Sequence, residues 1–281
     1  MGRKEKEPGD ILLCSQKYGQ KRSDILEVFF LSQINGYVRG KSPMEDRRRT
    51  AAVILAAGKG TRMGSQVHKQ YMELFGKPLL YYALLAFENS SVDEIVLVTG
   101  PGEVRYCREE IVGKYGFSKV TAVTEGGKER YHSVYEGLKA VTNCDYVLVH
   151  DGARPCVTGE IIEAASQGAR QHKACAVGMP VKDTIKMSDE NEFAAITPDR
   201  NRLWMIQTPQ AFEYELVLRA YEKLMSSEKY QKGVTDDAMV VETMTQEKVK
   251  LIRGDYANIK ITTPEDMEIA AVLIKRNQRD K

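Results

Sequence analysis

The chain has 281 residues and a formal net charge of +2, so it is long enough to bury a large α/β core. Residues 1–50 carry 11 Lys and Arg against 7 Asp and Glu, and residues 51–281 carry 30 against 32. No apolar run approaches the length of a membrane span, and no strongly basic body follows residue 50. We therefore expect neither a membrane nor a nucleic acid as a partner.

The five cysteines and four histidines are scattered along the chain. No Cys-x-x-Cys and no His-x-x-x-His spacing occurs, so the sequence predicts no protein-built zinc site. The odd number of cysteines predicts free thiols, and the start lacks the charged-then-apolar order of a signal peptide. Together these features predict a cytoplasmic protein.

The first fifty residues differ from the rest, because their apolar stretch at residues 25–30 has no clear packing partner. Met44 stands just before the first clear strand and is a candidate translation start. On that hypothesis residues 1–43 are not native. We treat residues 1–50 as an N-terminal extension and residues 51–281 as one domain.

The domain begins with an apolar run over residues 53–57, which is too short for a helix and is typical of a strand covered on both faces. A glycine-rich loop follows at once, with Gly58 and Gly60. Glycine lets backbone N–H groups approach phosphates, and Arg62 and Lys69 add positive charge at the same place. The loop predicts a cradle for a nucleoside triphosphate.

The spacing within this loop disfavours two common nucleotide-binding motifs. A P-loop needs Gly-Lys-Ser/Thr after four spacer residues, which Gly58, Lys59 and Gly60 do not supply. A dinucleotide fingerprint needs its third glycine where Met63 stands, and here glycine comes one residue late, at Gly64. A dinucleotide oxidoreductase is therefore a weak alternative.

Strands and helices then alternate along the chain. Further strands are predicted over residues 94–99, 120–124, 146–150 and 174–178, and helices from Pro78 and over residues 104–115, 129–140 and 158–171. Strands joined by helices predict a Rossmann-like, mostly parallel sheet flanked by helices. Ligands of such sheets bind at the carboxyl ends of the strands.

Residues 181–208 break this alternation. An alternating stretch from Val181, a polar turn near residues 188–192 and a returning stretch over residues 193–207 predict an extended β-arm. An exposed arm needs a partner surface, and a second copy of the chain is the commonest one. We therefore expect a homodimer formed through the arm. Strands near residues 249–253 and 258–262 and a helix after Thr263 complete the domain.

Five polar motifs lie at or just past predicted strand ends, at residues 126–133, 149–155, 208–212, 234–237 and 254–262. Taken singly, each could be an ordinary cap or turn. Together they bring hydroxyls, carboxylates and cations to one edge of the sheet. That convergence predicts a binding site.

In this order the motifs resemble the methylerythritol phosphate cytidylyltransferases of non-mevalonate isoprenoid synthesis. The resemblance covers residues 51–274 and rests on Leu-Ala-Ala-Gly-x-Gly-x-Arg-Met-Gly with Lys-Gln, His-Asp-x-Ala-Arg-Pro, Thr-Pro-Gln-x-Phe, Thr-Asp-Asp-Ala and Asn-Ile-Lys-Ile-Thr. It implies the nucleotide-diphospho-sugar transferase type of fold. It also implies CTP and methylerythritol phosphate as substrates, Mg²⁺ as cofactor, and in-line attack on the α-phosphorus without a covalent enzyme intermediate.

The resemblance also implies roles for single residues. Arg62 and Lys69 would be the catalytic pair. The implied nucleotide-binding residues are Ala56, Ala57, Gly58, Gly60, Gly127, Ser133, Asp151 and Gly152. Asp151 is the one possible protein ligand of the metal, with no further dedicated ligands. The implied acceptor-binding residues are Thr184, Arg200, Thr208, Thr235 and Lys260, of which Thr184 and Arg200 would reach a neighbouring subunit's site.

Three positions depart from the family pattern: His68 replaces the usual proline before Lys69, Lys128 stands where relatives often carry an acid, and Gly152 replaces a common alanine. Two alternatives to the implied function stay open. One is a ribitol 5-phosphate cytidylyltransferase, disfavoured by the His-Asp-Gly-Ala-Arg-Pro motif. The other is a non-catalytic nucleotide-binding module, disfavoured because it would need no acceptor residues.

Overall fold

A seven-stranded sheet with helices on both faces is the framework of the protein. The computed structural model describes residues 48–58 and 68–279. In chain order the elements are β1 (Thr50–Ala56), β2 (Glu73–Leu74), β3 (Lys77–Pro78), α1 (Leu79–Glu88), β4 (Glu94–Thr99), α2 (Val104–Tyr106), β5 (Val120–Glu125), α3 (Arg130–Ala140), β6 (Tyr146–Asp151), α4 (Gly159–His172), β7 (Ala174–Pro180), β8 (Met187–Ser188), β9 (Ala194–Ile196), β10 (Trp204–Glu213), α5 (Tyr214–Met225), α6 (Glu228–Gln231), α7 (Asp237–Met244), β11 (Lys250–Arg253) and α8 (Pro264–Arg279). Helix α2 continues as a π-helix over Cys107–Gly113, and 3₁₀ turns lie at Lys69–Tyr71 and Arg200–Arg202.

The strand order in the sheet is β11-β7-β10-β6-β1-β4-β5. All neighbouring pairs are parallel except those of β10, which runs antiparallel to both β6 and β7. The predicted mostly parallel α/β fold is therefore confirmed. The carboxyl ends of β1 and β6 lie side by side, which brings the loops after them together.

Two apolar layers cover the sheet. On one face Leu80 and Phe87 of α1 pack with Ile162 of α4, and on the other face Val134 of α3 packs with Tyr221 of α5. Strand β1 contributes alternate residues to both layers, as expected for a strand covered on both faces. Among the residues described, no helix has the length and apolar character needed to cross a membrane.

Several helices begin where the sequence provides a cap. Thr158 Oγ1 accepts the Ile161 amide at the start of α4, and Asp236 Oδ1 accepts the Met239 amide at the start of α7. Glu129 and His132 form a reciprocal capping box at the start of α3. The third cap matters for the site, because it fixes the turn that joins β5 to α3.

The predicted C-terminal boundary of the arm is wrong. The prediction places residues 204–208 in the arm, but β10 begins at Trp204 and continues to Glu213 between β6 and β7. The motif at residues 208–212 therefore lies within a central strand and not past a strand end. The apolar residues of the motif favour this central position, because Ala211 and Phe212 are fully buried there.

The strand expected over residues 258–262 was also wrong. The segment is irregular, and the Ile261 amide makes a single backbone bond of 2.9 Å to the Ala153 carbonyl. Side chains bind other parts of it: Arg154 Nη1 donates to the Asn258 carbonyl at 2.7 Å. Its alternation of polar and apolar residues in the sequence imitates a strand, but no ladder forms.

The arm is the segment between β7 and β10, and it contains a two-stranded hairpin. Its strands β8 and β9 pair antiparallel through Met187 and Ile196. Phe193 near the tip is 72% exposed, and Ile196 and Met187 are 55% and 53% exposed. The segment thus contains an exposed hairpin, and its use in dimerisation stays a prediction.

Candidate active site

A cavity of about 670 Å³ opens where β1 and β6 end and where the loop between β5 and α3 begins. It has the size of a small-molecule ligand site. The predicted site residues that line it are Ala56, Ala57, Gly58, Lys69, Gly127, Ser133, Asp151 and Lys260. The topology thus brings together residues from five separate parts of the chain.

The other predicted site residues within the described part of the chain do not line the cavity. Arg62 and Gly60 are outside the described residues. Gly152 and Thr208 are buried beside the cavity, and the Gly152 amide donates to the Leu55 carbonyl at 2.8 Å.

The remaining acceptor residues are exposed and do not line the cavity. Thr184 and Arg200 lie in the arm, and Arg200 Nη1 donates to the Lys182 carbonyl at 3.0 Å. The Thr235 hydroxyl contacts Met239 Sδ at 3.5 Å. The described chain therefore does not by itself bring these residues to the cavity.

The loop between β5 and α3 is held by Ser133, which lies near the start of α3. Its Oγ accepts the Gly127 amide at 3.2 Å and contacts the Glu129 carbonyl at 3.3 Å. A Cβ at Gly126 would come within 2.7 Å of the Ala57 side chain, so glycine is needed for the two loops to meet. Backbone groups of both loops consequently form one wall.

The Lys69–Tyr71 turn forms another wall and is fixed on two sides. Lys69 Nζ donates to the Ile261 carbonyl at 3.1 Å, and Gln70 Nε2 donates to the Ala56 carbonyl at 2.5 Å. Glu103 anchors the turn from the loop after β4, because it accepts the Tyr71 hydroxyl at 2.8 Å and its Oε1 lies 2.5 Å from His68 Nδ1. His68, which departs from the family pattern, thus has a partner of its own.

Four charged side chains form a connected cluster at the back of the cavity. Arg130 binds Asp237 through two bonds of 2.7 and 2.8 Å and donates from Nε to Asp151 Oδ1 at 3.2 Å. Lys260 Nζ contacts the other Asp151 oxygen at 2.7 Å. Tyr221 donates its hydroxyl to Asp237 at 2.5 Å.

The cluster shifts the proton affinities of its members. Burial alone would raise the pKa of Asp151, but the charges of Arg130 and Lys260 outweigh it and hold that pKa well below its ordinary value. Burial would lower the pKa of Arg130, but Asp237 and Asp151 raise it well above its ordinary value. Asp151 is therefore a carboxylate and Arg130 a cation at neutral pH.

Sequence reasoning missed Arg130, Asp237 and Glu103. Arg130 and Asp237 do stand inside recognised motifs, at residues 126–133 and 234–237, so their positions carried a signal. Nothing in the sequence indicates that they form an ion pair, because 107 positions separate them and they lie on different helices, α3 and α7. Glu103 lies outside every motif.

A buried histidine lies directly behind the cavity wall. His150 Nδ1 is 3.1 Å from Thr208 Oγ1, and its Nε2 is 3.4 Å from the Arg154 carbonyl. Burial lowers the pKa of His150 to about 3, despite the opposing effect of Asp151. The ring is therefore neutral.

The donor set suits a metal only in a limited way. No group of three or more His, Cys, Asp or Glu side chains placed to hold a metal occurs within residues 48–58 and 68–279. Magnesium usually needs just one or two carboxylates beside substrate phosphates, and the Asp151 carboxylate faces the cavity in this way. Asp151 fits as one such ligand, although both its oxygens already contact cationic side chains.

Comparison with known proteins agrees with this geometry. A family model described as 2-C-methyl-D-erythritol 4-phosphate cytidylyltransferase matches residues 50–276. The chain is 52% identical over 225 residues to the protein of that name from Lachnospira eligens, covering 80% of this chain and 98% of that one. It is 49% identical over 230 residues to the one from Caldanaerobacter subterraneus subsp. tengcongensis, covering 80% and 99%.

Solved structures agree as well. The 4-diphosphocytidyl-2C-methyl-D-erythritol synthase of Anaerococcus prevotii superposes with a TM-score of 0.72 at 34% identity, covering 84% of this chain and all of that one. The 2-C-methyl-D-erythritol 4-phosphate cytidylyltransferase of Thermus thermophilus gives 0.65 at 28% identity, covering 81% and 99%. The sequence motifs, the sheet order and these similarities lead to one conclusion: the chain belongs to the 2-C-methyl-D-erythritol 4-phosphate cytidylyltransferase family.

Proposed function

We propose that this chain transfers the CMP group of CTP to 2-C-methyl-D-erythritol 4-phosphate in non-mevalonate isoprenoid synthesis. The products are 4-diphosphocytidyl-2-C-methyl-D-erythritol and pyrophosphate. The observation that carries the proposal is the cavity at the ends of β1 and β6 in a chain of this family, where close-packed glycine loops converge with three lysines, Lys69, Lys128 and Lys260. Cations and backbone amides are what two phosphate-bearing substrates need.

In the proposed reaction an oxygen of the acceptor phosphate attacks the α-phosphorus of CTP. A new P–O bond forms as the bond to the bridging oxygen of pyrophosphate breaks, and the electron pair leaves with pyrophosphate. No group on the protein needs to become covalently bound. The work of the protein is to hold two mutually repelling phosphates together and to neutralise the charge that grows on the α-phosphoryl oxygens.

Lys69 is the described residue best placed for that neutralisation. It lines the cavity, and its bond to the Ile261 carbonyl orients the ammonium without cancelling its charge. Arg62 is proposed as its partner on sequence grounds, because it follows the glycine-rich loop. Such groups stabilise the charge of the transition state and commonly raise the reaction rate by roughly two to three orders of magnitude.

The nucleoside is proposed to bind between the two glycine loops. Ala56 ends β1, and Ala57 and Gly58 begin the loop that follows it. Gly127 lies in the loop between β5 and α3, and Ser133 lies near the start of α3. The Ser133 hydroxyl is engaged with that loop, so backbone groups carry most of this binding surface. Lys128 also lines the cavity and adds a positive charge there.

The acceptor is proposed to bind on the Lys260 side. Lys260 supplies a cation for its phosphate, while Asp151 lies between Lys260 and Arg130 and faces the same space. Magnesium, bound with CTP, would supply further neutralisation of phosphate charge, with Asp151 as its protein ligand. Gly152 stays a proposed backbone contact, and Thr235 a proposed acceptor contact.

We further propose a two-fold homodimer joined through the arm. Thr184 and Arg200 do not line the cavity of their own chain, and apolar side chains of the hairpin are exposed. A second copy would cover these side chains and would bring Thr184 and Arg200 to the neighbouring cavity. The cytoplasm is the proposed location, since the four described cysteines form no disulfide.

Pyrophosphate release by the full-length chain tests the proposal. With CTP and magnesium we expect release in the presence of 2-C-methyl-D-erythritol 4-phosphate and much less with ribitol 5-phosphate. Faster release with ribitol 5-phosphate would favour the ribitol enzyme. Binding of CTP with no release for either acceptor would favour a non-catalytic module.

A further inference from the structure

The backbone of Asp151 lies just beyond the regular pairing of two central strands. The last ladder pair between β10 and β6 joins Gln210 to Val149, and the register of β10 shifts between Ile206 and Gln210. The Asp151 amide therefore has no backbone acceptor on β10. It donates instead to the Thr208 hydroxyl oxygen at 3.1 Å.

The direction of the next hydrogen bond follows from the carbonyl of Arg154. A carbonyl oxygen only accepts, so we assign the ring proton to His150 Nε2, which lies 3.4 Å from it. His150 is fully buried, and its two ring nitrogens contact uncharged groups, the Arg154 carbonyl and the Thr208 hydroxyl. Such a ring is neutral and has one N–H, which leaves Nδ1 as an acceptor. The group 3.1 Å from Nδ1 is the Thr208 hydroxyl, which must then donate to it. The opposite tautomer would set an unprotonated Nε2 against the carbonyl oxygen.

Thr208 therefore has no proton left for a ligand. Its single O–H points to His150, and its oxygen accepts the Asp151 amide. The residue is 4% exposed, and Asn258 Nδ2 fixes its carbonyl at 2.9 Å. A phosphate only accepts hydrogen bonds, so this hydroxyl is unsuited to bind one.

We propose that His150 and Thr208 are positioning residues for the transfer reaction: His150 sets the direction of the Thr208 hydroxyl, and that hydroxyl holds Asp151 in the cavity wall. Asp151 in turn keeps its carboxylate between Arg130 and Lys260. The chain of contacts runs from the Arg154 carbonyl through His150 and Thr208 to Asp151. This inference rests on the proposed function for its kinetic consequence, but its hydrogen-bond pattern does not.

The hydrogen-bond pattern is tested first, without substrate. Nitrogen-15 NMR of the histidine-labelled full-length protein distinguishes protonated from unprotonated ring nitrogens, and His150→Asn identifies the resonances of His150. We expect a protonated Nε2 and an unprotonated Nδ1 whose resonance moves in Thr208→Val. A proton on Nδ1, or an Nδ1 resonance unchanged in Thr208→Val, would overturn the proposal even if the chain proved inactive.

Kinetics then test the positioning role. Thr208→Val keeps the shape and removes the hydroxyl, and we expect kcat to fall about tenfold with the acceptor KM changed less than about threefold. Thr208→Ser, which keeps the hydroxyl, should lose less than about threefold. A raised acceptor KM at unchanged kcat would make Thr208 a direct ligand, and unaltered kinetics would remove its role; either result refutes the proposal.

A double-mutant cycle tests whether the two residues act through one another. His150→Phe keeps an aromatic ring, and the double variant with Thr208→Val should be no slower than the slower single variant. Independent, multiplying losses would contradict the proposal. If His150→Phe does not fold, His150→Asn replaces it in the cycle.

The matched control is Ser166→Ala in α4. Ser166 is also fully buried and donates its hydroxyl to the Ile162 carbonyl at 3.0 Å, but it does not line the cavity. We expect a lower Tm with unchanged kcat and KM. If Ser166→Ala lowers kcat as much as Thr208→Val does, the loss reflects stability alone and the positioning role fails.

Discussion

The charged cluster behind the cavity and the arm are built in opposite ways. In the cluster, Asp151 and Asp237 each contact side chains from at least two other elements, and both are buried. In the arm, the hairpin bonds described are local, such as Lys186 Nζ to Thr197 Oγ1 at 2.6 Å, and the apolar side chains face outward. The charged cluster is therefore held together within one chain, whereas the arm leaves large apolar side chains exposed.

The largest expected effect falls on the stability of the cluster. Asp237→Asn removes a fully buried charge that faces Arg130 and should lower the free energy of unfolding by about 3 kcal/mol, because it leaves the partly buried Arg130 cation poorly compensated. Urea unfolding measures it. Glu136→Gln, also in contact with a cation on α3 but exposed, should cost less than about 0.5 kcal/mol. Equal losses would mean that burial of the cluster has no special weight.

The next effect concerns catalysis in the cavity, at Lys69. Lys69→Met should lower kcat about a hundredfold or more, because it removes a cation from the developing phosphoryl charge. Steady-state pyrophosphate release measures kcat. Lys139→Met, an exposed lysine paired with Glu136, should leave kcat unchanged. A Lys69→Met variant with normal kcat would remove Lys69 from the proposed mechanism.

The pH dependence of stability tests the lowered pKa of Asp151. Its folded-state pKa is depressed, so its contribution to stability is present above its unfolded value, near about 3.9, and is lost as the pH falls toward the lower folded value. The difference in unfolding free energy between the native chain and Asp151→Asn should therefore be constant from about pH 5 to 7 and shrink below about pH 4. A difference that grows on acidification would contradict the sign of this shift.

The arm should respond at the level of assembly rather than folding. Phe193→Ser should raise the dimer dissociation constant about tenfold or more, as expected for a large apolar side chain lost from an interface. Sedimentation equilibrium gives this constant. Val272→Ser on α8 is the control, since Val272 is 69% exposed but lies outside the arm. If both variants assemble alike, the arm is not the dimer contact.

The smallest expected effect is at Gly152. An added Cβ would lie 2.9 Å from the Leu55 carbonyl oxygen and 2.9 Å from Leu80 Cδ1, so Gly152→Ala should cost about 1 kcal/mol of stability. Gly159→Ala, where a Cβ would meet nothing within 4 Å, should cost nothing. Thermal unfolding compares the two. An unchanged Tm in Gly152→Ala would show that the end of β1 can shift to accommodate the added Cβ.

The sequence predicts the parallel strands well because their apolar runs and the helices between them have distinct periods. It does not predict where β10 lies, since a strand that follows the arm could pair with either edge or enter the centre. The wrong strand at residues 258–262 has a similar cause, because alternation cannot tell a ladder from a segment bound by Arg154 and Ala153. Both errors concern pairing over long sequence distances.

The same limit applies to the site. Residues at the ends of strands, such as Gly58 and Asp151, follow from topology, and the structure brings them together. Topology does not predict the contact of Arg130 with Asp237 or the direction of the Thr208 hydroxyl, because both depend on side-chain geometry between distant segments. The positions of Thr184 and Arg200 relative to a cavity depend on a second chain, on which one sequence carries no geometric information.

The closure of the arm has a consequence for how the chain folds and varies. Trp204 of β10 pairs with Pro180 of β7, so both ends of the arm lie side by side in the sheet. For the sheet, the arm is a loop that connects two neighbouring strands. The entropy of closing such a loop grows only with the logarithm of its length. Insertions or deletions at the hairpin tip should therefore change the reach of the arm while leaving the folding of the nucleotide cavity almost untouched, which makes arm length an independently adjustable part of this enzyme.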